Sequence, residues 1–298
     1  MSTPIIEHYN RPPCALHYMS RAFLPTSGLP ADADFPDIRL RWSGMCIEPA
    51  QLQLFRQTTG LSSPTDVSIL YPHVFGFRLQ MALLTHRAYP LSIWNVLQIR
   101  NRLVRYKLFD PLDSFDMETR IGRHRYVAKG IEIDLLSRMT RGDECYWQSR
   151  ITYLYRGRFG QPPSADTSHK SPPLTDATLV ERWNMPNQGR REFGSLTGDY
   201  NGLHLWSWTA RRFGFAAAFL HPQRVAAMCL ARLAMPDVAA QTLDLWIKGP
   251  VFYGAEVVLS ASQVANEVKF GLSLEGDERA ALIGLVQAGA KEIERDID

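Results

Sequence analysis

The sequence predicts an α+β chain in which one pattern occurs twice: a long buried helix followed by antiparallel strands. Two apolar runs of helical spacing carry the first part of that reading, and a proline stands in the opening of each. The segments behind each run carry the second part, since both end in a pair of strand-like stretches around Gly-Asp-Glu. In chain order, Tyr71-Pro72-His73 opens the first helix, and its apolar spacing continues over residues 74–86. Proline suits a first helical turn because the N–H it lacks has no intrahelical partner there. Strand signals follow at residues 96–100 and 114–121, and a hairpin joins 131–140 to 145–155 with Gly142-Asp143 at its turn. In the second half Leu220-His221-Pro222 opens a helix over residues 223–235. Strands are then expected at 243–248 and 255–259, with a hairpin from 268–275 to 279–287 around Gly276-Asp277. In each half that helix is the one cover the pattern offers for the sheet.

Residues 157–175 are rich in Pro, Ser and Gly and have no hydrophobic period, which reads as an exposed linker. The expected division is therefore a first repeat over 1–156, a linker over 157–175 and a second repeat over 176–298. A tandem duplication accounts for the shared order of elements. Two unrelated α+β domains are the alternative.

At 298 residues, 45% hydrophobic and 21% charged, the composition is that of a globular protein. A formal net charge of +3 is too small to argue for a nucleic-acid partner. Cys14, Cys46, Cys145 and Cys229 have no metal-ligand spacing and read as reduced, mostly buried thiols of a cytoplasmic protein. The Pro-broken N-terminus has no apolar core of a secretion signal, and no apolar run reaches the roughly 18 residues of a membrane span. His8, His17, His86, His124 and His169 do not cluster, so neither a metal nor a redox cofactor is expected.

The most informative stretch is Gly198-Asp199-Tyr200-Asn201-Gly202-Leu203-His204. It sets a carboxylate and an imidazole close enough to share one water, which is the requirement of general acid–base chemistry. Gly198 lets the backbone turn, and Asn201 either holds the loop or orients the imidazole. Residue types and spacing leave two readings open, an acid–base site and a loop that satisfies its own polar groups.

This stretch, with Ala210-Arg211-Arg212-Phe213-Gly214-Phe215 after it and then His221 before a helix, resembles the hydratase signature of the MaoC-like dehydratases. That family includes the (R)-specific enoyl-CoA hydratases. Gly189-Arg190-Arg191 resembles its lead-in, and Leu70-Tyr71-Pro72-His73 with Arg100-Asn101-Arg102 resembles the degenerate first repeat of its two-repeat members. The resemblance implies a double hot-dog fold, each repeat a long helix wrapped by an antiparallel sheet, with an acyl thioester in a tunnel between them. It implies that Asp199 and His204 activate a water for reversible addition to a trans-2-enoyl thioester, giving the (R)-3-hydroxyacyl form. Gly198 and Asn201 would support the loop, and His221, Gln223, Phe215 and Trp206 would meet the substrate. The corresponding point of the first repeat is expected at residues 47–52, where no Asp or His stands. That repeat would shape the tunnel only. The substrate would bring its own CoA or carrier phosphopantetheine, and the chain would be a monomer, already a pseudo-dimer, or a homodimer.

Three positions depart from the family pattern. Gly202 replaces a proline, and Trp206 replaces a polar residue. Pro222 stands where the family has a glycine whose N–H receives the thioester oxygen, and proline has no N–H to offer. A catalytically impaired protein that binds acyl thioesters or a partner is therefore the alternative reading, followed by a thioesterase. Arg100, Arg102, Arg105 and Lys107 either meet CoA phosphates or line a solvated strand edge, the second being preferred.

Overall fold

Alternating segments become strands and the two proline-opened runs become buried helices in the computed structural model, which describes residues 3–30, 34–61, 67–159, 170–234, 238–291 and Ile293. The first half supplies β1 (Ile5–Tyr9), α1 (Ala15–Arg21), β2 (Ile38–Cys46), α2 (Pro49–Thr59) and α3 (Tyr71–Leu84), then β3 (Val96–Arg105), β4 (Ser114–Val127), β5 (Gly130–Arg141) and β6 (Glu144–Arg156). The second supplies β7 (Thr178–Asn184), α4 (Arg190–Thr197), α5 (Gly202–Leu205), α6 (Ser207–Arg212) and α7 (Pro222–Leu230), then β8 (Gln241–Ile247), β9 (Glu256–Val264), β10 (Glu267–Leu274) and β11 (Ala280–Ala288).

All the named strands form one sheet in the order β1-β2-β4-β5-β6-β3-β8-β11-β10-β9-β7. Leaving out β1, the order read inward from each edge is the same: the strand before the long helix, the second, third and fourth strands after it, then the first. Both halves therefore close on the same kind of strand, and β3 meets β8 at the centre, paired from Arg100↔Trp246 to Arg105↔Gln241. A helix that is apolar on every side must be sheathed by protein. In α3 all residues but Arg78 and Met81 are buried, and it packs on β2 and β4, with α2 against α4 and α7.

Several expectations need correction. Each half has a strand and a further helix ahead of its long helix, and α2 and α4 pack on each other and on the long helices. The alternation in β2 and β7 is short, and β7 is exposed along most of its length, so neither stands out as a sheet strand. β1 runs parallel to β2, the one parallel pairing among the described strands. Trp183 and Asn184 end β7. Of the linker, residues 160–169, including His169, lie outside the described residues. Cys14 and Cys46 are exposed and only Cys229 is fully buried, because the thiols fall at a helix cap and strand ends.

The Arg-rich stretch is not a solvated edge, since β3 is paired on both sides. Arg100 and Arg102 instead reach across the junction to Asp244 at 2.9 and 3.2 Å. Arg105 is buried and donates to the carbonyls of Val67, Val238 and Ala239.

The counterpart of Asp199 in the first half is also misplaced at residues 47–52, which α2 largely occupies. Both α2 and α4 end in Thr-Gly with the glycine left-handed, at φ 76° for Gly60 and 73° for Gly198. In each case the threonine hydroxyl accepts the N–H of the residue after the glycine, at 3.3 Å from Leu61 and 3.0 Å from Asp199. Leu61 therefore holds the equivalent place.

Candidate active site

The helix that presents the site is bracketed by left-handed glycines, Gly189 (φ 83°) before α4 and Gly198 (φ 73°) after it. At Gly198 a side chain is excluded twice, by this φ and because a Cβ would stand 2.2 Å from the Tyr18 hydroxyl. That hydroxyl donates to the Gly198 carbonyl at 2.6 Å, so α1 braces the loop from the other half. Arg78 of α3 donates to the Ser195 carbonyl at 2.7 Å. Gly198→Ala is expected to destabilise the chain by about 1–2 kcal/mol from the backbone alone. Urea unfolding checks this as a lower midpoint at unchanged m-value.

Beyond Gly198 the chain is held by hydrogen bonds that each span two residues. Asp199 N–H donates to Thr197 Oγ1 at 3.0 Å, Asn201 N–H to Asp199 Oδ1 at 3.0 Å, and Leu203 N–H to Asn201 Oδ1 at 3.1 Å. Asp and Asn favour such turns because their short side chains mimic a backbone carbonyl. Asn201 thus caps α5, and of its two candidate roles it performs the holding of the loop. Asp199 keeps Oδ2 free of this relay.

His204 donates from Nδ1 to the Phe219 carbonyl at 2.9 Å. A carbonyl only accepts, so the proton of the neutral ring sits on Nδ1 and Nε2 carries a lone pair. Nε2 stands 3.7 Å from Asp199 Oδ2. That is too long for a direct hydrogen bond and short enough for one water to reach both with bonds of about 2.8 Å. Asp199 and His204 are each 7% exposed, which keeps bulk water from competing.

His221 was expected to touch substrate and does not line the cavity. It lies against His204, ring centroids 3.9 Å apart and nearly parallel, and its Nε2–H donates to the Asp199 backbone carbonyl at 3.2 Å. Complete burial, and then the neighbouring His204, push its pKa well below 6.5, so it stays neutral. It supports the dyad from behind.

Ligand atoms of Asp199, His204 and His221 lie within 4.8 Å of one another, a spacing compatible with a metal ion. The donor set fits poorly. His221 Nε2 already carries the hydrogen it gives to the Asp199 carbonyl, which leaves two ligands where catalytic zinc takes about three from the protein.

Asp199, Asn201, His204, Phe215 and Gln223 open onto a cavity of 870 Å³, within the range of small-molecule sites. The first half adds Phe77, Met81, Leu84 and Tyr153 to its wall. Trp206, also expected here, is 46% exposed and stacks on Trp208 outside it. Tyr153 and Gln98 pair across one face of the sheet, while Thr152 and Arg100 pair across the opposite face. The cavity touches all four, which requires an opening in the sheet. β3 and β8 provide it: they part beyond Arg100↔Trp246, and residues 96–99 and 248–250 line the gap. Arg100, Lys129, Arg156 and Lys248 border the same cavity.

No family model matches the chain. It is 24% identical over 209 residues to 3-hydroxyacyl-thioester dehydratase X of Mycobacterium tuberculosis, covering 69% of this chain and 73% of the relative. The crystal structure of HtdX from Mycobacterium tuberculosis superposes with a TM-score of 0.71 at 21% identity, over 84% of this chain and 99% of that one. A MaoC-like dehydratase from Phytophthora capsici gives a TM-score of 0.71 at 15% identity, over 88% of this chain and 99% of that one. This is the MaoC-like double hot-dog fold.

Within this MaoC-like fold four contributors escaped the sequence reading. Tyr18 carried no signal, because the N-terminal segment has no period to place it. Tyr153 and Gln98 read only as strand residues until the register put them on the cavity face. Arg224 did carry a signal, as a lone cation in an apolar helix. It donates Nε to the Thr58 carbonyl at 3.1 Å and Nη1 to the Gln188 carbonyl at 3.0 Å, tying α7 to both halves.

Proposed function

We propose that the chain is an acyl-thioester hydratase/dehydratase that adds water reversibly to a trans-2-enoyl thioester to give the (R)-3-hydroxyacyl form. The observation that carries this reading is the pair of acceptors, Asp199 Oδ2 and His204 Nε2, set 3.7 Å apart on the wall of the cavity. A water between them gives one hydrogen to each and turns an oxygen lone pair toward C3. As C3–O forms, a water O–H breaks and its proton passes to the dyad, which delivers a proton to C2. Dehydration is the reverse, so one dyad serves both directions.

Negative charge grows on the thioester oxygen during attack and needs a donor. At the start of α7, Pro222 has no N–H, and the N–H groups of Arg224 and Val225 both donate to the His221 carbonyl. Gln223 is the remaining residue of that turn. It lines the cavity, is 2% exposed, and its Oε1 has no partner. We assign it as the oxyanion donor through its backbone N–H, the side-chain amide being the second candidate. The side-chain role predicts that Gln223→Ala lowers kcat about 10²-fold, with Gln223→Glu falling further. Loss of the conjugated-thioester absorbance with crotonyl-CoA and longer enoyl-CoAs reads both; an unchanged rate in both variants leaves the backbone N–H as the donor.

No hydration of any enoyl thioester would sink the reading. Stabilisation by acyl-CoA without turnover would establish the second reading instead, a thioester binder disabled at Pro222. The cations at the gap suit the phosphates of CoA or of a carrier's phosphopantetheine, and the exit through the sheet suits the thin arm that joins them to the thioester. A role in fatty acid metabolism, in the cytoplasm, with the chain serving as its own pseudo-dimer, belongs to the same proposal. The four free thiols accord with a reducing setting.

A further inference from the structure

Three chain segments far apart in sequence meet at an aromatic rim beside the cavity mouth. Phe23 packs on Trp94 at 5.1 Å between ring centroids, and Trp94 packs on Phe213 at 6.2 Å. Trp94 Nε1–H donates to the Ala22 carbonyl at 2.8 Å, which fixes the first segment against the second. Trp94 and Phe213 also line the cavity. Phe23 is 74% exposed and Leu24 beside it 49%, while Leu16 on α1 and Trp208 on α6, the helices that lead into Phe23 and Phe213, are 82% and 66% exposed.

The charge around this rim is mainly positive; Glu7, which pairs with His86 at 3.1 Å, lies near Leu24 and Arg87 at its edge. No Asp or Glu occurs in residues 8–31, 67–109 or 200–236, the three stretches that contain it. Arg211 and Arg212 end α6 immediately before Phe213 and are exposed, as is Arg87. Aromatic rings with arginines beside them match the boundary of a bilayer, where rings sit at headgroup depth and cations meet anionic lipid. A folded partner is gripped through packed pockets, whereas these side chains stand out from the surface.

We propose that this rim docks the chain peripherally on an anionic phospholipid surface, with the cavity mouth turned toward the bilayer. No described helix is long and apolar enough to cross a membrane, so the attachment is a surface one. It stands independently of the chemistry assigned to Asp199 and His204.

Sedimentation of the full chain with vesicles tests it. The protein is expected to pellet with vesicles rich in phosphatidylglycerol at low salt, and to remain in solution with phosphatidylcholine alone. Each cation at the surface changes binding about fivefold, so Arg211→Glu/Arg212→Glu should weaken it about 30-fold or more. Phe23→Ser/Leu24→Ser should do likewise while leaving enoyl-thioester hydration and the unfolding midpoint near wild type, since neither residue lines the cavity. Failure to pellet with phosphatidylglycerol vesicles overturns the proposal, as does pelleting that both double variants leave unchanged. A solution dimer broken by Phe23→Ser/Leu24→Ser would also overturn it, because the rim would then be a contact between copies. Binding to an acidic protein with none to vesicles would do the same.

Discussion

Replacing His204 by alanine is expected to lower kcat for enoyl-thioester hydration about 10³-fold, with Asp199→Asn falling in the same range. The geometry explains why the losses should be similar. In the proposed reaction one water is held by two acceptors, and removing either leaves it free to rotate its lone pair away from C3. Asp199→Asn is the more informative change, because its amide oxygen still accepts the Asn201 N–H that shapes the loop. His204→Ala removes the ring that stacks on His221, so its unfolding midpoint should be measured beside its rate. The double variant should lose little more than either single one, since the two residues act on one water. Hydration within tenfold of wild type in both single variants would rule out this dyad.

Stability should fall steeply between neutral and mildly acid pH, through two histidines that stay neutral in the fold. Burial pushes His73 down to about 3, and His221 well below 6.5. In the unfolded chain both rings take up protons near their ordinary value. Below that pH the unfolded state binds more protons than the folded one, so the contribution is fully present above 6.5 and is lost as pH drops. Between pH 6.5 and 5 the two rings together withdraw roughly 3 kcal/mol. Urea midpoints across this range measure it, and a flat profile from pH 7 to 5 would contradict the neutral assignment. His73 has a reason to resist: its Nε2 accepts from Asn101 Nδ2 at 3.3 Å in a buried network with Gln98, and protonation would set donor against donor.

The long helices and hairpins were legible because each makes a periodic pattern. Twelve buried positions in α3 and the Gly142 and Gly276 turns leave little room for another reading. Asp199, Asn201 and His204 were legible because six successive residues carry their chemistry. The parts that escaped depend on distance through space. Tyr18 stands 180 positions from the glycine it braces, and nothing local marks it. The central place of β3 depended on β8 meeting it from the other half, so its arginines looked like those of an edge. His221 and Trp206 were placed at the substrate by resemblance, whereas one lies beneath the site against His204 and the other stands exposed beside Trp208.

Leu61 occupies the place in the first half that Asp199 holds in the second. In an assembly of two identical chains every change that widens the acyl end of a cavity is copied into the frame of the catalytic end. Under the proposed function the two ends are encoded separately here, by Phe77, Met81 and Tyr153 on one side and by Asp199, His204 and Gln223 on the other. Selection can therefore resize what the chain accepts without disturbing how it reacts.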